Sequence, residues 1–302
     1  MRSLNHRSSL LSLLFILLFA DAGAQQVFKL SQFMENSFIH NPAAAGANGV
    51  TTIGAAYRSQ WAALEGGPQT VLLFGDTYFA SKNTGAGIIL YSDKTGPTSQ
   101  AGGELSLSYS VKFRGEKKRL MLGLGGQVIQ FKVDKEKIAA SIPNDPLLAS
   151  SGTVTRGDAS AGIYFHSEKL NVGVSVKQLI QAKLKLITTS TNPQGMLYRQ
   201  YFMNANYSLR TDEANVLLPH VEVRYQPGVP VDYEGGIILY HQDILHVGFS
   251  LHYKQNYTVF AGIKIRHQLS IGYAYDIYNT PASAYEYGYG AHEIMLRYFW
   301  RK

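Results

Sequence analysis

The chain has 302 residues, of which only 16% are charged, and it contains 20 Tyr, 29 Gly and no Cys. Soluble domains carry about 25% charged residues, whereas a membrane barrel needs an apolar exterior and aromatic girdles. The absence of cysteine excludes disulfides, thiolate metal sites and a lipoprotein anchor. The formal net charge of +7 comes from basic residues scattered along the sequence, which does not indicate a nucleic-acid partner.

The first 24 residues have the pattern of a secretory signal peptide. Arg2, His6 and Arg7 precede an apolar run at residues 10–20, and small residues follow at 22–24. The run is too short for a helix that crosses a bilayer, which needs about 20 residues. We therefore expect cleavage after Ala24.

Residues 25–49 do not alternate and precede the first predicted strand. Asn41-Pro42, followed by small residues and Gly46, predicts a rigid turn there. Apolar side chains in this segment must be buried, either against a periplasmic partner or inside a barrel, where the segment would form a plug. The candidate anchors are Phe28, Phe33, Met34, Phe38 and Ile39. The predicted division is a signal peptide (1–24), an N-terminal periplasmic or plug segment (25–49) and an outer-membrane barrel (50–302).

From residue 50 onward the dominant hydrophobic pattern has period two. Leu105, Leu107 and Tyr109, for example, alternate with Ser106 and Ser108. Such alternation gives a strand one apolar and one polar face, and segments of about ten residues can cross a bilayer as tilted strands. Fourteen segments predict an all-β fold, a transmembrane antiparallel outer-membrane barrel. They begin near Val50, Gln69, Thr84, Gly102, Lys118, Thr155, Leu170, Leu197, Leu217, Val231, Ile244, Tyr257, Gln268 and Tyr289.

The connections between these segments alternate in length. Every second connection is short, such as 166–169, whereas most of the others are long. The long set comprises 59–68, 93–101, 133–154, 180–196 and 278–288. Short periplasmic turns opposite longer outer loops are typical of outer-membrane barrels. We therefore predict that both chain termini are periplasmic.

Charged residues on the polar faces predict the character of the lumen. A charge that faces lipid near the midplane costs roughly 2–4 kcal/mol, so these side chains should point inward. Two interpretations remain open, a solvated pore wall and an ion-pair network that holds a plug. The residues are Glu104, Lys112, Arg114, Lys177, Glu222, Arg224, Lys264 and Arg266.

Motifs for catalysis are not evident in the sequence. It contains neither a G-x-S-x-G elbow nor an H-E-x-x-H helix, and its nine histidines are dispersed. Residues 123–126 (GLGG) lack the spacing of a phosphate loop, and glycines in a strand more often mark bulges or a neighbour's close approach. We predict a non-enzymatic protein without a cofactor or metal site.

Several short motifs occur in a fixed order along the mature chain. They are residues 31–34 (SQFM), 41–46 (NPAAAG), 58–61 (RSQW), 67–70 (GPQT), 93–96 (DKTG), 273–276 (YAYD) and 290–294 (GAHEI). In order and spacing they resemble the PorP/SprF family of outer-membrane proteins, associated with type IX secretion and gliding motility in the Bacteroidetes. One departure is Ala44, where the family often has an aromatic residue.

The resemblance implies an outer-membrane component of type IX secretion. Such a barrel would be surrounded by outer-membrane lipid, and its partners would be a secreted cargo protein and secretion components in the periplasm. The alternative function is a plugged channel or transporter for small or hydrophobic solutes. Candidate partner-binding or structural residues on the motifs are Asn41, Pro42, Gly46, Arg58, Gln60, Trp61, Pro68, Asp93, Gly96, His292 and Glu293.

Overall fold

The computed structural model describes residues 29–62, 64–113, 118–141, 152–184, 195–279 and 290–300. Fourteen long antiparallel strands in this part of the chain form one closed barrel. They are β1 (Thr51–Gln60), β2 (Gln69–Phe79), β3 (Thr84–Thr95), β4 (Thr98–Lys112), β5 (Arg119–Val133), β6 (Thr153–His166), β7 (Leu170–Lys177), β8 (Gln200–Tyr207), β9 (Asn215–Tyr225), β10 (Asp232–His241), β11 (Leu245–His252), β12 (Asn256–Ile265), β13 (Leu269–Tyr278) and β14 (Ala291–Trp300). The predicted all-β outer-membrane barrel of 14 strands is confirmed.

Each strand pairs with its neighbours in the sequence, and the ring closes between β1 and β14. That ladder runs from Thr51 opposite Trp300 to Gln60 opposite Ala291. After Ser208, the two residues Leu209–Arg210 continue the pairing of β8 with β9. The smaller elements are a helix α1 (Lys135–Ser141), a two-residue ladder between Lys183–Leu184 and Gly195–Met196, and 3-10 turns at Phe33–Glu35, Ser37–Ile39, Pro42–Ala44 and Ala80–Lys82.

The two faces of each strand differ as the alternation predicts. Leu105 and Leu107 are 66% and 64% exposed on the outside of the barrel, whereas Ser106 and Ser108 between them are buried inside. This arrangement places apolar side chains in contact with lipid and polar side chains in the lumen. No helix in the described ranges is long and apolar enough to cross a membrane.

Most strands begin within two residues of the predicted positions, and the two exceptions have clear physical causes. The predicted long loop at 93–101 is wrong, because β3 and β4 remain paired up to Thr95 and Thr98. Gly96, with a φ of +55°, is the first residue of the resulting two-residue turn. The alternation is lost there because the strands project beyond the hydrocarbon, where both faces are polar. Leu197, predicted to begin a strand, is instead buried in a loop cluster ahead of β8.

The connections define the two ends of the barrel. Turns of a few residues, such as 167–169, 242–244 and 266–268, lie at the end where β1 begins and β14 finishes. Longer loops at 134–152 and 178–199 lie at the opposite end. By the asymmetry of outer-membrane barrels, the short turns mark the periplasmic mouth, called here the inner end, and the long loops mark the outer end.

The lipid-facing surface should tolerate charge according to depth. Replacing Leu107 with Arg should sharply reduce the amount of barrel assembled in outer membranes, because it places a charge deep in the hydrocarbon at roughly 2–4 kcal/mol. Phe113→Arg, at the inner end of the same strand, is the control and should cost about 0–1 kcal/mol. Heat-modifiability of membrane fractions measures assembly, and equal losses in both variants would mean that the depth assignment is wrong.

Candidate functional site: a plugged lumen

Residues 29–50, called here the lumen segment, lie inside the barrel. Two of their three 3-10 turns are capped by asparagine side chains, since Asn36 accepts a hydrogen bond from the Phe38 amide at 3.1 Å and Asn41 accepts one from the Ala43 amide at 2.9 Å. Pro42 occupies the first position of its turn, where its missing N–H is not needed. The sequence allowed this segment to lie either against a periplasmic partner or inside the barrel. Its described residues occupy the lumen.

The lumen segment runs from the outer end to the inner end. The Lys29 ammonium donates to Asn256 at 3.2 Å and contacts His252 at 3.4 Å. His252 ends β11 and Asn256 begins β12, both at the outer mouth. At the other extreme, Arg119, the first residue of β5 at the inner end, donates to the Ala47 carbonyl. We predicted that both chain termini are periplasmic, but Lys29 lies at the outer end, where its ammonium contacts His252 and Asn256.

The four described candidate anchors are buried, and Phe28 lies outside the described residues. Phe38 and Ile39 belong to one apolar cluster with lumen-facing side chains of the strands, and Phe33 and Met34 belong to a second. The lumen-facing members of the clusters are Ala56, Leu72, Phe74, Ile89, Met121, Tyr164, Met295, Ile238, Phe260 and Ala274. These apolar side chains point into the lumen, where the alternation predicts polar ones. The sequence feature that indicated such positions was the presence of consecutive apolar residues at 71–74 and 237–239.

One polar anchor lies in the outer half of the lumen. Glu293 accepts hydrogen bonds from the backbone amides of Ser31 and Gln32, at 2.6 and 2.9 Å. Arg58 lies between Glu293 and Asp276, at 3.5 and 2.6 Å, and also donates to the Ser31 hydroxyl. Arg58 and Glu293, both predicted site residues, are cross-strand partners on β1 and β14. The contact through Ser31 was not predicted.

A second polar anchor lies in the inner half. Arg297 forms an ion pair with Glu35 and donates to the Glu35 carbonyl at 2.6 Å, while the Tyr240 hydroxyl donates to the Glu35 carboxylate at 2.7 Å. The ion pair fixes the first 3-10 turn to β14.

A third group of contacts holds the middle and the end of the lumen segment. The side-chain amide of Asn41 donates to the Ile163 carbonyl at 3.0 Å, and the Gly46 amide donates to Asp76 at 2.9 Å. Lys177 bridges the Ile39 carbonyl and Glu104, at 2.8 and 3.1 Å. Donors and acceptors of the barrel wall therefore contact the lumen segment along its whole length.

Glycines on the strands allow the segment to approach the wall. A Cβ atom at Gly123 would lie 2.3 Å from the backbone of Ala43, and one at Gly162 would lie 2.0 Å from the Asn41 side-chain oxygen. At either position, a residue larger than glycine would displace the lumen segment. The interpretation of Gly123 as the site of a neighbour's close approach fits this contact.

The charged residues predicted to face the lumen differ in their position along the barrel axis. Glu104, Lys177 and Glu222 are buried, and Glu222 contacts His40 at 2.9 Å. Arg224 is partly buried beside Asp232 at 3.2 Å. The remaining described members, Lys112, Lys264 and Arg266, lie at the inner end, and Arg114 lies outside the described residues. Of the two interpretations, the ion-pair network that holds a plug therefore fits the middle of the lumen.

The other motif residues lie at the outer end rather than beside the lumen segment. Gln60 and Pro68 join the ends of the first loop, with the Gln60 amide donating to the Pro68 carbonyl at 2.9 Å. The Trp61 amide donates to the Gly290 carbonyl, and Asp93 accepts from the Thr70 hydroxyl. His292 lies on the exterior, with its ring nitrogen 2.7 Å from the Tyr273 hydroxyl. These motif residues, together with Gly96, form part of the outer rim.

The close approach at Gly123 gives a direct test of the plug. Gly123→Val should push residues 42 and 43 away from β5 and open a path, which increases the uptake of small sugars in a liposome-swelling assay. Gly126→Val on the same strand is the matched control, because a Cβ atom there has nothing within 4 Å. Unchanged uptake in Gly123→Val, with the barrel assembled, would contradict a tightly fitted plug.

The Arg58 anchor should contribute strongly to stability. Arg58→Met leaves the buried carboxylates of Asp276 and Glu293 without their shared cation, which should cost about 3–5 kcal/mol of unfolding free energy. Urea unfolding in detergent micelles measures the loss. The control is Arg156→Met at an exposed outer position, for which we expect a change within about 0.5 kcal/mol. Similar values for both variants would mean that the buried cluster does not stabilise the fold.

Comparisons with known proteins match one protein family and several solved structures. A family profile described as "Type IX secretion system membrane protein PorP/SprF" matches residues 22–298. The Ralstonia pickettii toluene transporter TbuX has a similar fold, with a TM-score of 0.50 and 9% identity over 88% of this chain and 93% of its own. The Acinetobacter baumannii outer membrane protein Omp33 has a TM-score of 0.48 and 8% identity over 83% and 98% of the two chains. Among curated proteins, none matches the sequence.

Proposed function

The chain belongs to the PorP/SprF family of type IX secretion system membrane proteins, and we propose that it serves there as a closed, non-enzymatic outer-membrane scaffold. In this proposal it assists the export or surface retention of a cargo protein and contacts periplasmic secretion components. The filled lumen is the observation that supports a scaffold most strongly. A barrel whose interior is packed with its own chain has its two ends available for partners.

The outer end offers a rigid base for recognition loops. Side chains of two strands and of the loop at 178–199 pack together toward the outer end in a separate apolar cluster. Its members are Ile129, Val154, Ala182, Leu184 and Leu197. Loops held by such a scaffold are where binding residues are usually found. We therefore assign the cargo-binding role to the loops that contain residues 142–151 and 185–194.

The inner end carries an excess of basic residues that favours an acidic periplasmic partner. Its described basic residues are Lys82, Lys112, Lys118, Arg119, Lys169, Arg210, Lys264 and Arg266, and its acidic residues are Glu168, Asp212, Glu213 and Asp243. Beside this rim, a cavity of about 650 Å³ is lined in part by Val216, Leu218 and Tyr240. Lumen-facing apolar side chains at an open mouth are suited to receive an apolar side chain of a partner.

The outer role can be tested by shortening the loops. Removing residues 142–149 and 186–193 together should leave the amount of assembled barrel unchanged but abolish the surface display of one cargo protein, measured by surface proteomics. Removing residues 281–288, in a third outer loop, is the control. Continued export of every type IX substrate by the doubly shortened barrel would contradict a cargo role for these loops.

The inner role can be tested by reversing charge. The double variant Arg210→Glu with Arg266→Glu should lose co-purification with periplasmic secretion components, because two positive sites on the rim become repulsive to an acidic partner. The control Lys254→Glu changes an exposed outer residue. If the double variant retains its partners while the native barrel conducts solutes in liposomes, the channel alternative replaces the scaffold.

A further inference from the structure

The outer mouth holds a cavity of about 420 Å³ that lies apart from the sequence motifs. Its walls include Gln200 at the start of β8, Tyr225 at the end of β9 and Asp232 at the start of β10. Pockets of about 300–1,000 Å³ are typical of small-ligand sites. Phe202 lines the cavity and stacks on His40 of the lumen segment, with 4.9 Å between the ring centroids. The plug therefore supports the wall of this cavity.

Two short turns line the rim of the cavity and are held by backbone hydrogen bonds. In the turn after β9, the Val229 amide donates to the Gln226 carbonyl at 3.2 Å. In the turn after β11, the Gln255 amide donates to the His252 carbonyl at 3.0 Å. A site that is fixed in this way loses little conformational entropy when a ligand binds.

Two buried glutamine side chains line the cavity and have hydrogen-bonding groups to spare. The Gln200 amide donates to the Gln226 amide oxygen at 2.8 Å. This bond leaves the Gln200 oxygen and the Gln226 amide nitrogen without a partner among the described residues, although both residues are more than nine-tenths buried. A buried polar group without a partner is costly. The two groups therefore favour a ligand that both donates and accepts hydrogen bonds.

The charged side chains that line the cavity already have partners. Arg224 lies 3.2 Å from Asp232, and Asp232 also contacts the His252 ring. Lys254 lies over the Tyr253 ring, with its ammonium 5.2 Å from the centroid. An anionic ligand would compete with Asp232 for Arg224, and a cationic ligand would compete with Arg224 for Asp232. The cavity therefore favours an uncharged ligand.

The rest of the cavity wall is apolar and partly aromatic. Phe202, Tyr225 and Tyr253 contribute rings, and Val229 and Val231 contribute aliphatic side chains. An aromatic ring offers a large flat apolar surface, on which the C–H face of a sugar ring can pack. Sugar hydroxyls both donate and accept, as the free amide groups require. A solute without polar groups would leave those amide groups unpaired.

We propose that the outer cavity binds an uncharged sugar unit, with the glutamine amides on its hydroxyls and an aromatic side chain against its C–H face. The unit is either a free sugar or part of a glycan chain at the cell surface, because the cavity lies at the outer mouth. This site is additional to the role in type IX secretion and does not depend on it.

Saturation-transfer NMR of the purified native barrel tests the site with glucose, galactose, mannose and N-acetylglucosamine. At least one of these sugars should receive saturation from the protein. Gln226→Leu should weaken the affinity for that sugar about tenfold, because it removes the hydrogen-bonding amide. The matched control Gln130→Leu removes an amide from an exposed position on β5 and should leave the affinity unchanged. No saturation of any of the four sugars, or equal affinities in the two variants, would overturn the proposal.

A second variant leaves both glutamine amides in place. Tyr253→Ala removes an exposed ring of the rim and should weaken the same sugar by at least about threefold. Its control, Tyr57→Ala on the lipid-facing side of β1, should have no effect. Heat-modifiability verifies that every variant is assembled. An unchanged affinity in assembled Tyr253→Ala would contradict the aromatic contact and overturn the proposal.

A glycan array distinguishes the two sources of the sugar. Binding of the native barrel to immobilised glycans, lost in Gln226→Leu, would support a glycan chain, and binding of free sugars alone would support a soluble sugar. A library of uncharged peptides serves as the competing class of ligand. Peptides that bind with the same sensitivity to Gln226→Leu, while none of the sugars binds, would make the cavity a peptide site and overturn the proposal.

Discussion

A polar group inside a membrane barrel must find a partner within the protein, and this constraint shapes the lumen. The lumen segment has only short 3-10 turns, so many of its peptide groups depend on the barrel wall. Glu293 accepts from two of its amides, Asp76 accepts from a third, and Lys177 and Arg297 donate to its carbonyls. Each of these side chains lies on the inward face of its strand, where the period-two pattern places polar residues.

The same constraint explains why the charged residues occur as pairs and why the lumen is closed. An isolated buried charge is costly, so Glu35 is matched by Arg297, and Glu104 by Lys177. Apolar anchors then fill the space between the pairs, and glycines such as Gly123 remove the side chains that would obstruct them. A barrel filled in this way offers its ends rather than its interior, and the scaffold that we propose rests on this geometry.

The strands could be predicted from sequence because their signal is local. The alternation of neighbours such as Ser106 and Leu107 distinguishes the lumen-facing from the lipid-facing side of a strand. The lengths of the connections distinguish the inner end of the barrel from the outer end. The plug contacts could not be predicted because they join distant residues, such as Arg297 and Glu35, which are 262 positions apart. The loop at 93–101 was predicted wrongly because a ladder outside the hydrocarbon needs no hydrophobic alternation. The motif at 41–46 predicted a rigid turn, but nothing local indicated that Gly162 lies beneath it.

The lumen segment is a structural part of the barrel interior, and amide hydrogen exchange of the purified native protein, read out by mass spectrometry of peptides, can establish this. We expect the amides of Ser31, Gln32, Ala43 and Gly46, all bonded to acceptors within the barrel, to exchange as slowly as those of the central strands. Exchange as fast as in the exposed turn at 211–214, in a barrel that is fully assembled, would contradict it.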